Sequence, residues 1–506
     1  MANTYAPHYN LDFLNTNEHW PPSKDNSRLD MYRFAREQFE LTPEDMVRRI
    51  VPEGLMRFGE YKDFVCATKL LGYPRLLTLK TVDMVIGQPP LISAQNDDEK
   101  TEQIKKLRAS SQLNTAFKQC LIDYSRFGVF LLRIFKDEKG KAKVTAWNPQ
   151  EWVPVFYPDG TNRIHYNVIG WWQDKITLKI QIHDTSDGSY EEREYLTDGV
   201  GTLLQLKSSK RFNKNSGKQL LFAITNTPTT TNPLGTGDYE IINGLLQKAI
   251  QRLQAILRVL DEHADPSMTG PHSLLDKDEN GELVFRSSRY YAVGDEEQRP
   301  QYLVWDANLD SSFRAFEELC KQIYILSEMG EAFLGAPGGT GNVVSGTAMR
   351  FKMISPLEKA RRITNDLTEP LKEIISSILS IEKVDIDPQE VSIAWRDSLP
   401  KDPREVAELT RLEAGSTAVK PLIHAIMDNY DMDYASAEHY VEGILEYQKE
   451  QADISSVGKS SKKDPATGED GRSHGPTSSI DIRKKGSMQD PASSENRGDD
   501  QNAKLK

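Results

Sequence analysis

Two long helical patterns enclose a short strand-rich insert and lead into a glycine-rich stretch, and this order constrains the fold more than any other feature. In the first pattern the apolar positions alternate four and three residues apart, the spacing of a helix packed lengthwise against other helices. These positions are Ile242, Leu246, Ala249, Leu253, Ile256 and Leu260. A single amphipathic helix in a globular core would show the same pattern. The insert and the second pattern, residues 310–334, favour a protruding hairpin.

The glycine-rich stretch reads GAPGGTGNVVSGTA, residues 335–348, and lacks what a nucleotide-binding loop requires. Gly341 and Gly346 have the spacing of a P-loop. Thr347, however, stands where the lysine belongs, and Ala348 where the magnesium-binding hydroxyl belongs. A dinucleotide fingerprint fails too, because a valine occupies its third glycine position, and the preceding residues have a helical rather than a strand pattern. We therefore predict that this stretch binds no nucleotide.

The composition argues against several classes of protein. The 506 residues are enough for two or three modules, with a modest hydrophobic content of 38%. The three cysteines lie far apart, which argues against a disulfide framework and a zinc cluster and indicates a reducing compartment. The formal charge of −12 does not suit tight binding to phosphates, so we expect any DNA contact to be local or weak. No signal sequence or apolar membrane span is recognisable, so neither secretion nor membrane insertion is expected.

No group of residues has the spacing of a catalytic, cofactor or metal site. The nine histidines are scattered without an HExxH pair, and no GxSxG motif marks a nucleophile. The segment DKDENGELVFRS imitates a calcium loop, but Ser287 stands where the bidentate glutamate must be. Asn280-Gly281 within it favours a β-hairpin turn instead. We predict a protein that is not an enzyme and holds no cofactor or metal.

The segments before the first long helix indicate an α+β region with an antiparallel sheet. A helical pattern in SSQLNTAFKQCLIDYSRFG ends at Gly128, and a hairpin is expected to turn near Gly140. Further strands are predicted in EWVPVFYPDGTNRIHYNVIGWWQ, ITLKIQIHD and YEEREYL. After the glycine-rich stretch, a helical pattern contains Pro356 and Pro370, each of which should kink or end the helix. A strand is predicted in VSIAWRDSLP, followed by helices to about residue 450.

This order of segments resembles the portal, or head-to-tail connector, proteins of tailed bacteriophages, those of long-tailed phages in particular, over residues 30–450. The resemblance lies in TVDMVIGQPPLI, YEIINGLLQKAIQRLQAIL, YLVWDANLDSSFRAFEELCKQIYILSEMGEAFLG and, above all, SGTAMRFKMISPLEKARRI. It implies an α+β fold with an α+β wing, two stem helices, a β-rich clip, a kinked tunnel helix and a helical crown, assembled as a ring.

The resemblance also implies a division of the chain. The expected segments are an N-terminal arm (1–30), the wing (31–235), stem helix 1 (236–263), the clip (264–308), stem helix 2 (309–334), the tunnel loop (335–346), the kinked helix with a wing strand (347–399), the crown helices (400–450) and a tail (451–506). The tail contains no aromatic residue and is rich in Ser, Gly, Asp and Lys, a composition typical of disordered segments.

The function implied is that of a ring of about twelve copies at one capsid vertex. The ring would nucleate head assembly with the major capsid and scaffolding proteins, and would pass double-stranded DNA through its channel. It would dock the terminase large subunit and later the head-completion or adaptor proteins. Assembly is expected in the host cytoplasm and the final location in the virion, with no membrane partner. A nucleotide-hydrolysing motor and a coiled-coil structural protein are the alternatives.

The resemblance assigns three sets of candidate residues. The tunnel loop and the basic residues after it would line the DNA channel: Gly338, Gly339, Thr340, Gly341, Asn342, Val343, Val344, Arg350 and Lys352. Arg286, Arg289, Tyr290 and Tyr291 of the clip would dock the terminase or connector proteins, unless the two tyrosines only pack a small local core. The six apolar positions of the first helix would pack the stem. The glycine-rich stretch could alternatively be a simple surface connector between two helices.

Overall fold

The computed structural model describes 6–42, 67, 69, 71–95, 97–212, 217–264, 268–271, 276–277, 283–284, 290–293, 301–302, 310–330, 353–396, 423, 426 and 437–446. The chain divides into two compact units, residues 1–417 and 418–506. In the second unit, residues 437–446 form a helix whose Ala437 and Val441 are fully buried. In the part of the chain described here, no helix is long and apolar enough to cross a membrane.

The first unit mixes helices and strands, as the sequence predicts. Its helices are α1 (Asn26–Glu40), α2 (Tyr73–Ile86), α3 (Asp98–Ser111), α4 (Leu113–Phe127), α5 (Asp238–Ala264), α6 (Asp310–Leu326) and α7 (Ile354–Ile381). Its strands are β1 (Leu91–Ala94), β2 (Val129–Lys136), β3 (Ala142–Ala146), β4 (Trp152–Phe156), β5 (Ile164–Trp172), β6 (Thr177–Asp184), β7 (Tyr190–Thr197), β8 (Leu203–Phe212), β9 (Leu221–Thr225), β10 (Met268–Pro271), β11 (Asp276–Lys277), β12 (Leu283–Val284), β13 (Tyr290–Val293), β14 (Gln301–Tyr302) and β15 (Val391–Ala394). The expected α+β class is confirmed.

The largest sheet is an antiparallel meander of strands β4 to β8 in chain order. Its connections are short because turn residues adopt the left-handed backbone conformation that they need. Gly160, with φ 74°, lies between β4 and β5, and Gly188, with φ 70°, lies between β6 and β7. The two turns contain Pro-Asp-Gly and Asp-Gly, residue types that favour tight turns.

A second sheet, with strand order β3-β2-β9, lies at the centre of the unit. Strand β2 is apolar on both faces, as expected for a strand covered on both sides. Phe130 and Leu132 pack in one core with α2, α3, α4 and α7, whereas Val129 and Leu131 pack in another with α1, α5 and α6. The sheet therefore separates two cores, one of which belongs to the pair of long helices.

Residues 6–25, expected to form an arm, pack against the five-stranded sheet. Phe13, Leu14 and Trp20 are buried in a third core with strands β4, β5, β6 and β8. Gly170 on β5 makes room for the indole, since a Cβ added there would lie 2.6 Å from atoms of the Trp20 ring. The glycine in the middle of a strand thus permits close packing of an aromatic side chain.

Helix α7 ends at neither Pro356 nor Pro370, the two positions where the sequence predicts that the helix kinks or ends. Pro356 lies in the first turn, where a backbone N–H has no partner within the helix. Pro370 lies inside the helix and costs about 3 kcal/mol there. Three fully buried side chains offset that cost, because each contributes about 1.5–3 kcal/mol. They are Leu367, Leu371 and Ile374.

The second long helix, α6, ends at Leu326 rather than at the predicted residue 334. Glu328 and Gly330, with φ of 61° and 67°, adopt the left-handed conformation that terminates helices. The last apolar residue described before the glycine-rich stretch, Met329, is buried although it lies beyond the helix.

The insert between α5 and α6 contains short strands, as the sequence predicts. Strand β10 pairs in parallel with β13 and antiparallel with β14. Strands β11 and β12 pair antiparallel on either side of Asn280-Gly281, with Asp276 opposite Val284. This pairing agrees with the predicted hairpin, although residues 278–282 lie outside the described part of the chain.

The buried His183 of strand β6 should make stability depend on pH. Burial, and secondarily the positive charge of Arg133, lowers the pKa of His183 to about 3. In an unfolded chain its pKa is about 6.5, so below that pH only the unfolded chain takes up the proton and folding loses free energy. We expect wild type to lose about 1.2 kcal/mol more than His183→Gln between pH 6 and pH 5 in urea unfolding. The exposed His439→Gln is the control, and parallel pH profiles of wild type and His183→Gln would contradict the prediction.

Candidate functional site at the base of the glycine-rich segment

The structure describes both ends of the glycine-rich segment but not its middle. All nine tunnel-loop and channel residues lie outside the described part of the chain: Gly338, Gly339, Thr340, Gly341, Asn342, Val343, Val344, Arg350 and Lys352. The clip residues Arg286 and Arg289 lie outside it as well. The described part of the candidate site therefore consists of the residues that flank these segments.

The two ends of the segment 331–352 are joined directly to each other. The Ser355 hydroxyl, in the first turn of α7, donates a hydrogen bond to the carbonyl oxygen of Glu328 at 3.1 Å. The Arg362 guanidinium binds the Glu328 carboxylate at 2.7 Å. Glu328, held in the left-handed conformation, is thus fixed through both its backbone and its side chain. The chain leaves α6 and returns to α7 at the same place.

A buried lysine ties this place to the start of the first long helix. The Lys359 ammonium lies 3.1 Å from the carboxylate of Asp238, the first residue of α5, and donates to the carbonyl oxygen of Ser327 at 3.3 Å. The side chains of Lys359 and Asp238 are only 6% and 9% exposed. One ammonium group therefore joins the beginning of α5, the end of α6 and the body of α7.

Hydroxyl groups extend this contact to helices α2 and α4. The Ser125 hydroxyl donates to the Asp238 carboxylate at 2.6 Å and lies 3.1 Å from the Thr78 hydroxyl. Thr78 in turn lies 2.6 Å from the Tyr239 hydroxyl. We call these six residues, Thr78, Ser125, Asp238, Tyr239, Ser327 and Lys359, the junction cluster. Its hydrogen bonds join five helices in a region from which water is largely excluded.

The charges of the junction cluster are placed where helix termini favour them. Asp238 lies in the first turn of α5, where the helix dipole stabilises a negative charge. The carbonyl of Ser327, just beyond the C-terminus of α6, attracts the Lys359 cation. Burial raises the pKa of Tyr239, which keeps its hydroxyl neutral. The cluster positions helices; in the described part of the chain no group of His, Cys, Asp and Glu side chains could hold a metal ion.

The apolar positions predicted to pack the stem face the interior of their own chain. Ile242, Leu246 and Ala249 are buried in the core shared with α1, α6 and the three-stranded sheet, and Ile256 is buried as well. Leu253 packs against the edge of this core. Leu260, near the end of the helix, is 42% exposed. Five of the six positions therefore hold α5 in its own chain, which is one of the two interpretations that the spacing allows.

The two clip tyrosines lie on strand β13. Tyr290 pairs with Met268 of β10, and Tyr291 pairs with Thr269. Tyr291 is 57% exposed, so its side chain does not lie in a local core. The Tyr291 carbonyl accepts a hydrogen bond from the Thr269 hydroxyl at 3.1 Å, which fixes the strand. Tyr291 is thus a surface side chain on a paired strand.

Sequence reasoning did not find the junction cluster. Asp238 and Lys359 belong to segments that the sequence predicts as separate helices, and a buried lysine gives no periodic signal. The only local indication is an acidic residue directly after Gly237, at the expected start of the first long helix. Which cation it meets depends on how the two helices pack.

Removing the buried cation should destabilise the protein strongly. Lys359→Met leaves the Asp238 carboxylate buried without its counter-ion, which costs about 3–5 kcal/mol. We expect a correspondingly lower urea midpoint by circular dichroism, partly restored when Asp238→Asn is combined with it. Lys372→Met on the same helix, whose partner Glu369 is exposed, should cost less than about 1 kcal/mol. Equal losses for the two lysine variants would refute the role given to Lys359.

Part of the chain matches the model of a known protein family. Residues 323–454 match the family model described as phage portal protein, SPP1 Gp6-like. No curated protein sequence matches the chain. This segment contains the end of α6, the glycine-rich segment, α7 with Lys359 and Arg362, and strand β15.

Two solved structures are similar at a low level. One is the neck of a native gene transfer agent particle computed with C12 symmetry, with 11% identity and a TM-score of 0.41, covering 71% of this chain and 90% of that chain. The other is the virion of such a particle, with 11% identity and a TM-score of 0.41, covering 74% and 94%. At these values neither structure adds an argument. The family match confirms the resemblance to phage portal proteins over residues 323–454.

Proposed function

We propose that the chain forms a ring-shaped portal through which double-stranded DNA passes at one vertex of a capsid. The observation that carries this proposal is the closed base of the glycine-rich segment. Ser355 and Arg362 hold Glu328, so that residues 331–352 must leave and rejoin a fixed support. A glycine-rich segment on such a support can change its backbone conformation without disturbing the helices that carry it. This is what a loop that lines a channel with a moving polymer requires.

Exposed apolar side chains on the long helices support the ring. Helices α5, α6 and α7 carry large apolar residues that are 39% to 62% exposed: Ile241, Leu260, Phe313, Ile325, Leu326 and Ile354. The seam of α5 is buried within the chain, so these outward positions are the ones available to a neighbouring copy. We assign these positions to the contact between copies, because contiguous exposed apolar surface is typical of protein contacts. Repeated head-to-tail contacts between identical copies close into a ring when the rotation permits.

The charge of the chain suits a channel that conducts DNA without retaining it. The formal charge is −12, and strong phosphate binding would require many lysine and arginine contacts. Arg350 and Lys352 follow the glycine-rich stretch in sequence and are the basic residues that we assign to transient phosphate contacts. Each such contact would be screened at physiological salt, with a Debye length of about 8 Å.

The insert between the long helices is the docking surface that we propose for the terminase and, later, for the connector proteins. Tyr291 supports this assignment, because it is exposed on a strand whose backbone is already paired. We assign Arg286 and Arg289 to the same surface. In the proposed assembly, the ring forms in the host cytoplasm and contacts the major capsid and scaffolding proteins. Its final location is the virion.

Charges on the outward positions of the long helices should prevent ring formation. Ile241→Asp combined with Ile325→Asp disturbs no side chain in the core, so the monomer should keep its circular dichroism spectrum and melting temperature. Native mass spectrometry should then show monomers where wild type shows a ring. Leu253→Asp is the contrasting variant, since it charges the core edge and should lower the melting temperature. A ring of undiminished stability in the double variant would place the subunit contact elsewhere.

Stiffening the glycine-rich segment should impair DNA passage but not assembly. Gly338→Ala, Gly339→Ala and Gly341→Ala together remove backbone freedom without changing the junction cluster. We expect rings and capsid incorporation near wild-type levels, and slower or aborted packaging measured as DNA protected from nuclease. Gly346→Ala, a glycine beyond the proposed tip of the loop, is the matched control and should package normally. Normal packaging by intact triple-variant rings would make the segment a simple connector.

A further inference from the structure

A cavity of about 470 Å³ lies between the three-stranded and the five-stranded sheet, away from the junction cluster. Its size is within the range of about 300–1,000 Å³ that small-molecule sites occupy. Its polar lining comes from Arg133 and Lys136 on β2, Gln181 and His183 on β6, and Glu192 on β7. Nothing in the proposed portal function uses this cavity.

The guanidinium of Arg133 lies at this cavity and has no hydrogen-bond acceptor among the described residues. It lies 5.0 Å from the ring centre of Trp147, 5.3 Å from that of Trp171 and 5.7 Å from that of Phe135. Among the residues that the structure describes, it makes neither a hydrogen bond nor an ion pair. Burial lowers the pKa of Arg133, which reflects the cost of withdrawing its charge from water. Arg133 is half-buried, and a guanidinium partly withdrawn from water is well placed to bind a carboxylate or a carbonyl oxygen.

A second donor beside Arg133 is also unsatisfied. The indole Nε1 of Trp147 is buried and has no hydrogen-bond partner in the described part of the chain. Its ring belongs to the aromatic group that surrounds the guanidinium. Two donors thus lie close together where the described residues supply no acceptor.

Three other polar groups of the cavity are paired with one another. Gln181 donates through Nε2 to the Glu192 carboxylate at 2.9 Å, and its Oε1 lies 3.3 Å from His183 Nε2. His183 remains neutral near neutral pH because burial lowers its pKa to about 3. Lys136, the second cation of the lining, is exposed to solvent. Arg133 is therefore the side chain that would bind a ligand.

We propose that this cavity binds a carboxylate group through Arg133. The fork of N–H groups on a guanidinium matches a planar carboxylate with two parallel hydrogen bonds. Two cationic side chains and one carboxylate line the cavity, so a ligand with a single negative charge would neutralise the charge of the lining. A phosphate group would bring a charge of about −1.5 to −2, which is more than the lining neutralises. The carboxylate can belong to a small acid or to an acidic side chain of another protein segment.

The test uses the full-length protein and benzoate as the probe. Trp147 and Trp171 lie next to Arg133, so their fluorescence should report binding, with calorimetry as the second measurement. Arg133→Gln should weaken benzoate binding at least about tenfold, the effect of losing a charge-assisted hydrogen bond. Arg163→Gln is the matched control, because Arg163 also lies over an aromatic ring but is exposed and paired with Asp159.

Glu192→Gln separates ligand binding from a structural role of Arg133. It removes a negative charge near the cavity and should strengthen benzoate binding, an effect that the packing of Arg133 against aromatic rings does not predict. This variant also keeps the test decisive if Arg133→Gln fails to fold. Unchanged or weaker binding in Glu192→Gln would overturn the proposal, as would unchanged binding in Arg133→Gln.

Further probes distinguish the source and the class of the ligand. A short blocked peptide with one glutamate that binds more tightly than benzoate would identify a protein side chain as the source, and the reverse order would identify a small acid. Inorganic phosphate that binds as tightly as either would overturn the carboxylate assignment. No signal with benzoate or peptide at about 10 mM, well above a Kd of about 1 mM, would show that Arg133 is only hydrated and would overturn the site.

Discussion

The ion pair between Lys359 and Asp238 is the interaction on which the arrangement of the long helices depends. It joins the start of α5, the end of α6 and the body of α7, and hydroxyl groups extend it to α2 and α4. A buried pair does not necessarily stabilise a protein more than apolar residues of the same volume would. Its geometry is nevertheless specific, because an ammonium group must meet both a carboxylate and a carbonyl oxygen. Together with the contacts of Ser355 and Arg362 to Glu328, the pair holds the helix ends that flank the glycine-rich segment.

The distribution of apolar surface follows from the same arrangement. The inner face of α5 is buried against α1, α6 and the three-stranded sheet. Large apolar residues remain exposed on the outer faces of α5, α6 and α7. In the ring that we propose, the inner face of α5 holds the fold of each chain, and the exposed apolar residues contact neighbouring copies.

Local sequence patterns predicted most of the elements and few of the contacts. Gly128 terminates α4 and Gly140 turns the first hairpin, because both adopt a left-handed backbone that the sequence signals directly. Pro370 does not end its helix, since the burial of its helical neighbours outweighs the cost of the missing hydrogen bond. Within the candidate site, the sequence indicated the glycine-rich segment and the apolar spacing of α5. The sequence could not indicate that Lys359 is buried and paired with Asp238, because a charged residue in a helical pattern is usually exposed.

Residue type and spacing along the chain were enough to establish the α+β class, the strand-rich insert between two long helices and the absence of a P-loop lysine. The family match over residues 323–454 is likewise a property of sequence. The packed structure was needed to show which face of α5 is internal, where Lys359 finds its counter-ion, and that Arg133 lacks an acceptor among the described residues. These features depend on groups more than a hundred residues apart, or on the space between two sheets, and no local pattern records how distant segments pack.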